Sequence, residues 1–262
     1  MTATYLDRIL DAHRAAAAAD TRPVEDLLEA ARACPPARPF APALRDDTLT
    51  VIAEVKRRSP SKGDLFADLD PAAVASSYAA GGASAVSVLT DVDHFGGSSD
   101  DLRAARAAVE LPVLRKDFTV DARDVCDARL MGADAVLLIA AALDDVELAD
   151  FHGLATELGL AALVEIHDEA ELERAMAIDA RVVGVNQRDL VTFQVDHERA
   201  VRVGRAMPAE IVRIAESGVR GVDDARSLAD AGFDAVLVGE TLVTSGDPEA
   251  ATRALRVARP TE

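Results

Sequence analysis

Three segments of this chain repeat one another and set the period of the fold. They are Ala80-Gly81-Gly82-Ala83-Ser84-Ala85-Val86, Leu130-Met131-Gly132-Ala133-Asp134-Ala135-Val136 and Asp230-Ala231-Gly232-Phe233-Asp234-Ala235-Val236. Each ends a helical segment on Gly, the residue that accepts positive φ at a helix C-terminus, and then enters an apolar run. Leu158-Gly159-Leu160 is a weaker copy. Apolar runs that suit buried strands fall at Leu49–Val55, Ala85–Leu89, Pro112–Leu114, Ala135–Ile139, Ala161–Ile166, Val182–Val185, Ile211–Ala215 and Ala235–Val238. Segments of helical periodicity lie between them, opening on Asp70-Pro71, Ser98, Asp121, Asp144, Asp168, Asp196 and Gly221–Asp223, with Pro248 in the first turn of the last. Continuous β-branched runs fit parallel strands covered on both faces. Eight such alternations in about 200 residues argue for an α/β protein with a closed (β/α)8 TIM barrel. The rival, an open doubly wound sheet, lacks the glycine-rich turn expected after its first strand.

The repeats begin near Thr48, which divides the chain into an N-terminal helical extension, residues 1–47, and a barrel, residues 48–262, together one domain. Apolar positions recur at helical spacing from Tyr5 to Ala19, and Pro23 opens a second helix over Val24–Ala33. Cys34–Pro39 is a breaker-rich linker. The extension is either a simple surface cap or a lid over one end of the barrel.

Formal net charge is −18, which repels nucleic acid and requires that cations be gathered locally if the substrate is an anion. No apolar run approaches the roughly 18 residues of a membrane span. The amphipathic, charged start lacks a signal-peptide core, so a cytoplasmic protein is expected. Cys34 and Cys126 have no metal or redox spacing, and the five histidines form no ligand cluster, so no metal site is expected.

Chemistry in a barrel stands just after the strands. Val51–Gly63 leaves its apolar run through Glu54, Lys56 and Ser59 into Pro60 and Gly63. Later strand ends deliver Thr90 and Asp91, then Arg115, Lys116, Asp117 and Phe118, then Glu165 and His167. The last three supply Asn186 to Asp189, Glu216 to Gly218, and Gly239-Glu240. Charges of both signs converging on one rim are unusual for residues that resist burial unless paired.

IAEVKRRSPSKG, SVLTD, LPVLRKDF, LVEIHDEAEL, GVNQRDL, AESGV and LVGE occur in this order at barrel-strand spacing. In these motifs the chain resembles indole-3-glycerol phosphate synthase across nearly its whole length, the N-terminal helices included. The resemblance implies a (β/α)8 carboxy-lyase of tryptophan biosynthesis, EC 4.1.1.48, without cofactor or metal. It converts 1-(2-carboxyphenylamino)-1-deoxyribulose 5-phosphate to indole-3-glycerol phosphate, CO2 and water. A phosphorylated small molecule is the expected partner, with transient contact to other enzymes of that pathway.

By this resemblance Lys116 is the general acid for ring closure, with desolvation and nearby cations lowering its pKa, and Glu165 the catalytic carboxylate. Lys56 contacts the substrate carboxylate and competes with Lys116 for the dehydration acid, with Glu54 as base or orienting group. Asn186 orients hydroxyls, Arg188 holds the carboxyl, and Glu216 joins the same network. Phe118 and Pro60 wall the aromatic ring. Ser217, Gly218, Gly239 and the N–H of Glu240 bind phosphate, aided by Ser59, while the Glu240 side chain turns to solvent. His94 departs from the family pattern in the loop after strand two.

Plainer readings stay open: Lys116 paired with Asp117, Glu165 locking the barrel through Lys116, and Arg188 with Glu216 in an inter-strand ion-pair belt. So do other functions: a phosphoribosylanthranilate isomerase-like barrel, a Schiff-base aldolase using Lys116, or a non-catalytic pathway partner.

Overall fold

The computed structural model describes residues 4–59, 62–189 and 194–260. Eight parallel strands form one closed barrel: β1 (Thr50–Val55), β2 (Ala85–Leu89), β3 (Val113–Lys116), β4 (Ala135–Ile139), β5 (Ala161–Ile166), β6 (Val182–Asn186), β7 (Val212–Glu216) and β8 (Ala235–Val238). Thr50 pairs with Ala235 and Ile52 with Ala85, so β1 closes the cylinder between β8 and β2. An open sheet is thereby excluded.

Three strands run further than apolarity suggests. β3 continues through Arg115 and Lys116, paired with Val88 and Leu89. β6 and β7 end together on the pair Asn186 and Glu216. The apolar pattern stops where side chains turn polar, but the backbone ladder does not.

Register decides which residues face inward, because side chains alternate along a strand. Ile52, Leu114, Leu137, Leu163, Ile214 and Leu237 pack together in the barrel interior. Two residues further along five of these strands stand Glu54, Lys116, Glu165, Glu216 and Gly239. The polar layer is therefore the upper storey of the apolar core. Val51, Val86, Val136, Val164 and Val183 belong to the outer core under the helices.

Capping fixes where those helices start. Asp70, Ser98, Asp121, Asp144, Asp168, Asp196 and Asp247 each accept a hydrogen bond from a first-turn N–H. The repeated turns carry Gly82, Gly132 and Gly232 at φ +85°, +91° and +88°. Their polar residue has a job too: Asp134 accepts from Val113 N–H and Asp234 from Arg213 N–H, each at 2.8 Å, tying one strand to the next.

The extension holds three helices, α1 (Tyr5–Ala19), α2 (Val24–Arg32) and α3 (Phe40–Ala43). The short α3 follows the breaker-rich linker and places Phe40 and Leu44 in the inner core, beside Val182, Val212 and Ala235 at the starts of three strands. Helix α2 packs on the outer helix Ala122–Met131. Helix α1 reaches the other end, where Arg14 pairs with Glu147 at 2.7 Å and His13 with Asp91 at 2.9 Å. Phe40 is 2 % exposed, so Phe40→Ala should cost about 3–5 kcal/mol. Urea unfolding reads this as a lower midpoint; an unmoved midpoint would show that the barrel floor does not need its plug.

Candidate active site

The strand ends deliver their charges into one mouth with two lobes. The first encloses about 130 Å³ and is lined by Leu89, Phe95, Phe118, Leu137, Ile139 and the charged groups Lys56, Lys116 and Glu165. The second encloses about 420 Å³ beside Lys62, His197, Ser217, Gly218, Arg220 and Gly239. Glu54, Lys56, Lys116, Arg188, Ser217 and Glu240 line both. Of the residues given catalytic or substrate-binding roles from the sequence, Pro60 lies outside the described residues, and the others line one lobe or both.

Lys116 Nζ lies 3.1 Å from Glu165 Oε2 and 3.4 Å from Glu216 Oε2. Asn186 Nδ2 donates to the other Glu165 oxygen at 3.0 Å, and Asn186 Oδ1 accepts from Arg188 N–H at 3.0 Å. Lys56 Nζ lies 3.1 Å from Glu54 Oε1 and 5.8 Å from the centre of the Phe95 ring. Two glycines make room for this layer. A Cβ on Gly184 would stand 2.1 Å from Glu216 Oε1, and one on Gly239 would stand 2.5 Å from Glu54 Oε1.

Three expectations need correction. Lys116 does not pair with Asp117: neighbours on a strand face opposite ways, and Asp117 instead holds Arg115 at 3.0 Å and accepts from Thr90. Nor is the Lys116 pKa lowered. Burial pulls it down, but the surrounding carboxyl groups, Glu165 first, outweigh that and raise it, so the ammonium form is favoured. The Glu240 side chain does not turn away to solvent, because it pairs with Lys62 at the mouth of the second lobe.

The carboxyls divide. Burial pushes Glu165 up, but Lys116, His167 and the Asn186 amide outweigh it and bring the group below its ordinary value. Glu216 is pushed up to about 8, by burial first and, against the pull of Lys116, by the charge of Glu165. Apart from Lys116 Nζ at 3.4 Å, no donor among the described residues hydrogen-bonds the buried Glu216 oxygens, which suits a carboxyl that keeps its own proton. Around Lys116 the surroundings thus favour the ionised form of Glu165 and the protonated form of Glu216.

In the second lobe Ser217 and Gly218 lie consecutively at φ +66° and +74°. A Cβ on Gly218 would meet Val195 Cγ1 at 2.4 Å, so only glycine fits. Gln187 Nε2 donates to the Ser217 carbonyl at 2.8 Å, and Thr241 Oγ1 to that of Val219 at 2.7 Å. Ser59 Oγ accepts from Lys62 N–H at 3.2 Å.

Over residues 6–255 the chain matches the family model described as indole-3-glycerol phosphate synthase. The chain belongs to the indole-3-glycerol phosphate synthase family. A family member from Nocardioides sp. is 54% identical over 228 residues, covering 87% of this chain and 88% of that protein. One from Mycobacterium tuberculosis is 50% identical over 251 residues, covering 95% and 92%. Solved structures share the fold at low identity. Thiamine phosphate pyrophosphorylase from Pyrococcus furiosus matches with TM-score 0.60 at 17% identity, over 81% of this chain and 95% of that one. The N-acetylmannosamine-6-phosphate 2-epimerase from Clostridium perfringens matches with TM-score 0.62 at 14% identity, over 80% and 93%. This synthase-family barrel is thus built on a fold shared with distant proteins.

Residues that were given no role from the sequence complete the mouth. Phe95 and Asp91 sit on a short helix, Val92–Phe95, and at its N-cap. His13 comes from α1, far away in sequence. His13, Asp91 and Asp117 also form a group close enough to hold a cation, but Asp91 and Asp117 already accept from His94, Phe95, Phe118, Thr90 and Arg115. Asp91, in the motif SVLTD, and Phe95 both follow strand two and carry that signal; His13 carries none.

Proposed function

We propose that this decarboxylating lyase closes the indole ring in the first lobe while the phosphate of its substrate sits in the second. The reaction joins an aryl carbon to a ketone carbon, releases CO2 from that aryl carbon, and then expels the former ketone oxygen as water. The observation that carries the proposal is the charged Lys116 held against ionised Glu165 beneath two phenylalanines.

Lys116 protonates the ketone oxygen as the new bond forms; an alkoxide is a stronger base than the carboxylates that hold this proton at rest. Glu165 faces the developing charge on the anilino nitrogen and accepts the proton released as the ring becomes aromatic. Lys56 binds the substrate carboxylate and, after CO2 leaves, is placed to protonate the departing hydroxyl, with Glu54 orienting it. Asn186 keeps Glu165 aimed, and protonated Glu216 supplies a hydrogen bond rather than a second negative charge. Arg188 receives the carboxyl from the opposite side. Phe118, with Phe95, walls the aromatic ring.

For phosphate, the Ser217-Gly218 turn and the Gly239-Glu240 backbone offer N–H groups, as loops after the last two barrel strands commonly do. Lys62 and Arg220 add positive charge to a chain of net charge −18. A Schiff-base aldolase needs a neutral amine, and Lys116 has the opposite environment. A cytoplasmic location belongs to this proposal; among the described residues no helix is long and apolar enough to cross a membrane.

The test is continuous fluorescence of the purified protein with 1-(2-carboxyphenylamino)-1-deoxyribulose 5-phosphate in buffer containing EDTA. Growth of indole fluorescence is expected. Folded protein that gives none, with substrate proven on an active enzyme, would leave the isomerase and binding-partner readings.

A further inference from the structure

Helix α1 reaches the wall of the first lobe through His13, which has several partners there. His13 Nε2 lies 2.9 Å from Asp91 Oδ2 and 3.9 Å from Asp117 Oδ1. These carboxylates belong to two different loops, those after β2 and β3. The His13 ring also packs on Phe118, centroids 5.3 Å apart, and Phe118 in turn on Phe95 at 6.4 Å. Both carboxylates control that aromatic pair: Asp117 Oδ1 accepts from Phe118 N–H at 2.9 Å, and Asp91 Oδ1 from Phe95 N–H at 3.2 Å. His94 grips the same Asp91 Oδ2 through Nδ1 at 3.0 Å, and Tyr5 of α1 stands edge-on to it, centroids 6.0 Å apart. One imidazole thus joins the N-terminal helix to both phenylalanines of the lobe.

We infer that His13 is a positioning residue, which from the N-terminal helix holds Phe118 and Phe95 at the spacing that receives the aromatic end of the substrate. The inference rests on the reading of these two rings as the wall of the first lobe. His13 itself touches no reacting atom. It acts by fixing the loops after β2 and β3 to each other from α1, and a loosened wall costs substrate affinity before it costs chemistry.

The charges around His13 give the tie a pH dependence. Asp91 and His94 face it from the loop after β2, Asp117 with its partner Arg115 from β3, and Asp124 from the helix that follows. Burial alone would lower the His13 pKa, but the hydrogen bond to Asp91 and the charge of Asp117 outweigh it and raise the value. For Asp91, burial is outweighed by the hydrogen bonds from His13 and His94, which hold the carboxyl well below its usual range. A raised folded pKa means that the charged tie is complete below about 6.5 and is lost as pH rises through the folded value. KM should therefore rise on the alkaline side.

The experiment measures KM and kcat from pH 6 to 9 for wild type, His13→Ala, His13→Gln, Arg14→Ala and Phe118→Ala. His13→Ala should raise KM about tenfold at pH 6.5, change kcat less than about threefold, and flatten the pH profile of KM. His13→Gln, which places an amide donor near the former Nε2, should recover part of the KM without restoring the pH dependence. Arg14→Ala removes the neighbouring tie from α1 to Glu147 and should leave KM within about twofold. An Arg14→Ala effect equal to that of His13→Ala would reduce the matter to general docking of α1 and overturn the inference. So would an unchanged KM in His13→Ala while Phe118→Ala raises it. If Phe118→Ala itself leaves KM unmoved, the wall reading fails and the inference fails with it.

Discussion

Lys116→Ala is expected to lower turnover at least about 10²-fold, the usual scale for loss of a general acid. The loss should fall on kcat more than on KM, because the ammonium matters most when the ketone oxygen takes up charge. Its environment argues for a retained proton: carboxyls of Glu165, Glu216 and Glu54 surround it and raise its pKa. The amine therefore stays loaded throughout the neutral range and gives up its proton only to a strong base such as the forming alkoxide. Lys116→Arg keeps the charge but not the point geometry of an ammonium, and it should remain at least about tenfold impaired. Stopped-flow fluorescence of indole formation separates the steps. If Lys116→Ala closes the ring at nearly the wild-type rate, Lys116 is only the counter-ion of Glu165. Lys56→Ala in the same assay divides the two acid roles.

The barrel was legible because its signals are local. A glycine turn, a polar residue and an apolar run recur often enough to give the period, and the caps at Asp70, Asp121 and Asp144 sit where the pattern puts them. The i, i+2 pairs Glu54 with Lys56 and Asn186 with Arg188 were legible from their spacing at the strand ends, although Lys56 and Arg188 themselves stand beyond the last strand residues, Val55 and Asn186. Strand ends were read short at Leu114, Val185 and Ala215. At those positions the core changes from apolar to ionic while the ladder continues, and apolarity cannot follow it.

Relations made in space stayed hidden. Gly184 and Gly239 look like ordinary strand glycines until the carboxyls they admit, Glu216 and Glu54, are seen beside them. His13 is an unremarkable residue of an amphipathic helix until the fold lays it against Asp91. The Lys116 pKa was read with the wrong sign, because sequence shows neighbouring cations at Arg115 and Lys56. The inward-facing neighbours are instead acids contributed by β1, β5 and β7.

The sharpest consequence of that acidic ring is a divergence between two glutamines. Glu165→Gln should lower turnover about 10²- to 10³-fold, because the carboxylate that receives the aromatisation proton is gone. Glu216→Gln should stay within about tenfold of wild type at pH 7, since an amide resembles the protonated carboxyl already there. The two should also part in stability against pH, and the sign follows from linkage. Glu216 is raised to about 8 when folded and has an ordinary carboxyl pKa when unfolded. Below the unfolded value both states hold the proton and it contributes no difference. Between that value and about 8 only the unfolded chain ionises, so wild-type stability falls as pH rises, and it levels off above about 8. Glu216→Gln removes this loss. Its advantage over wild type should grow from pH 5 to pH 8, to at most roughly 4 kcal/mol, and appear as a melting temperature higher by several degrees. Glu165→Gln shows the reverse trend, because a carboxyl whose folded pKa is lowered stabilises above its unfolded value and loses that contribution as pH falls through the folded one. Calorimetry at pH 5, 7 and 9 decides it for wild type and Glu216→Gln, and the same measurement carried below pH 5, through the ordinary carboxyl value of about 4.3, decides it for Glu165→Gln. Parallel melting curves for wild type and Glu216→Gln would mean that Glu216 is ionised at neutral pH. Lys116 would then face two carboxylates, and the role given to the Glu216 proton would have to be withdrawn.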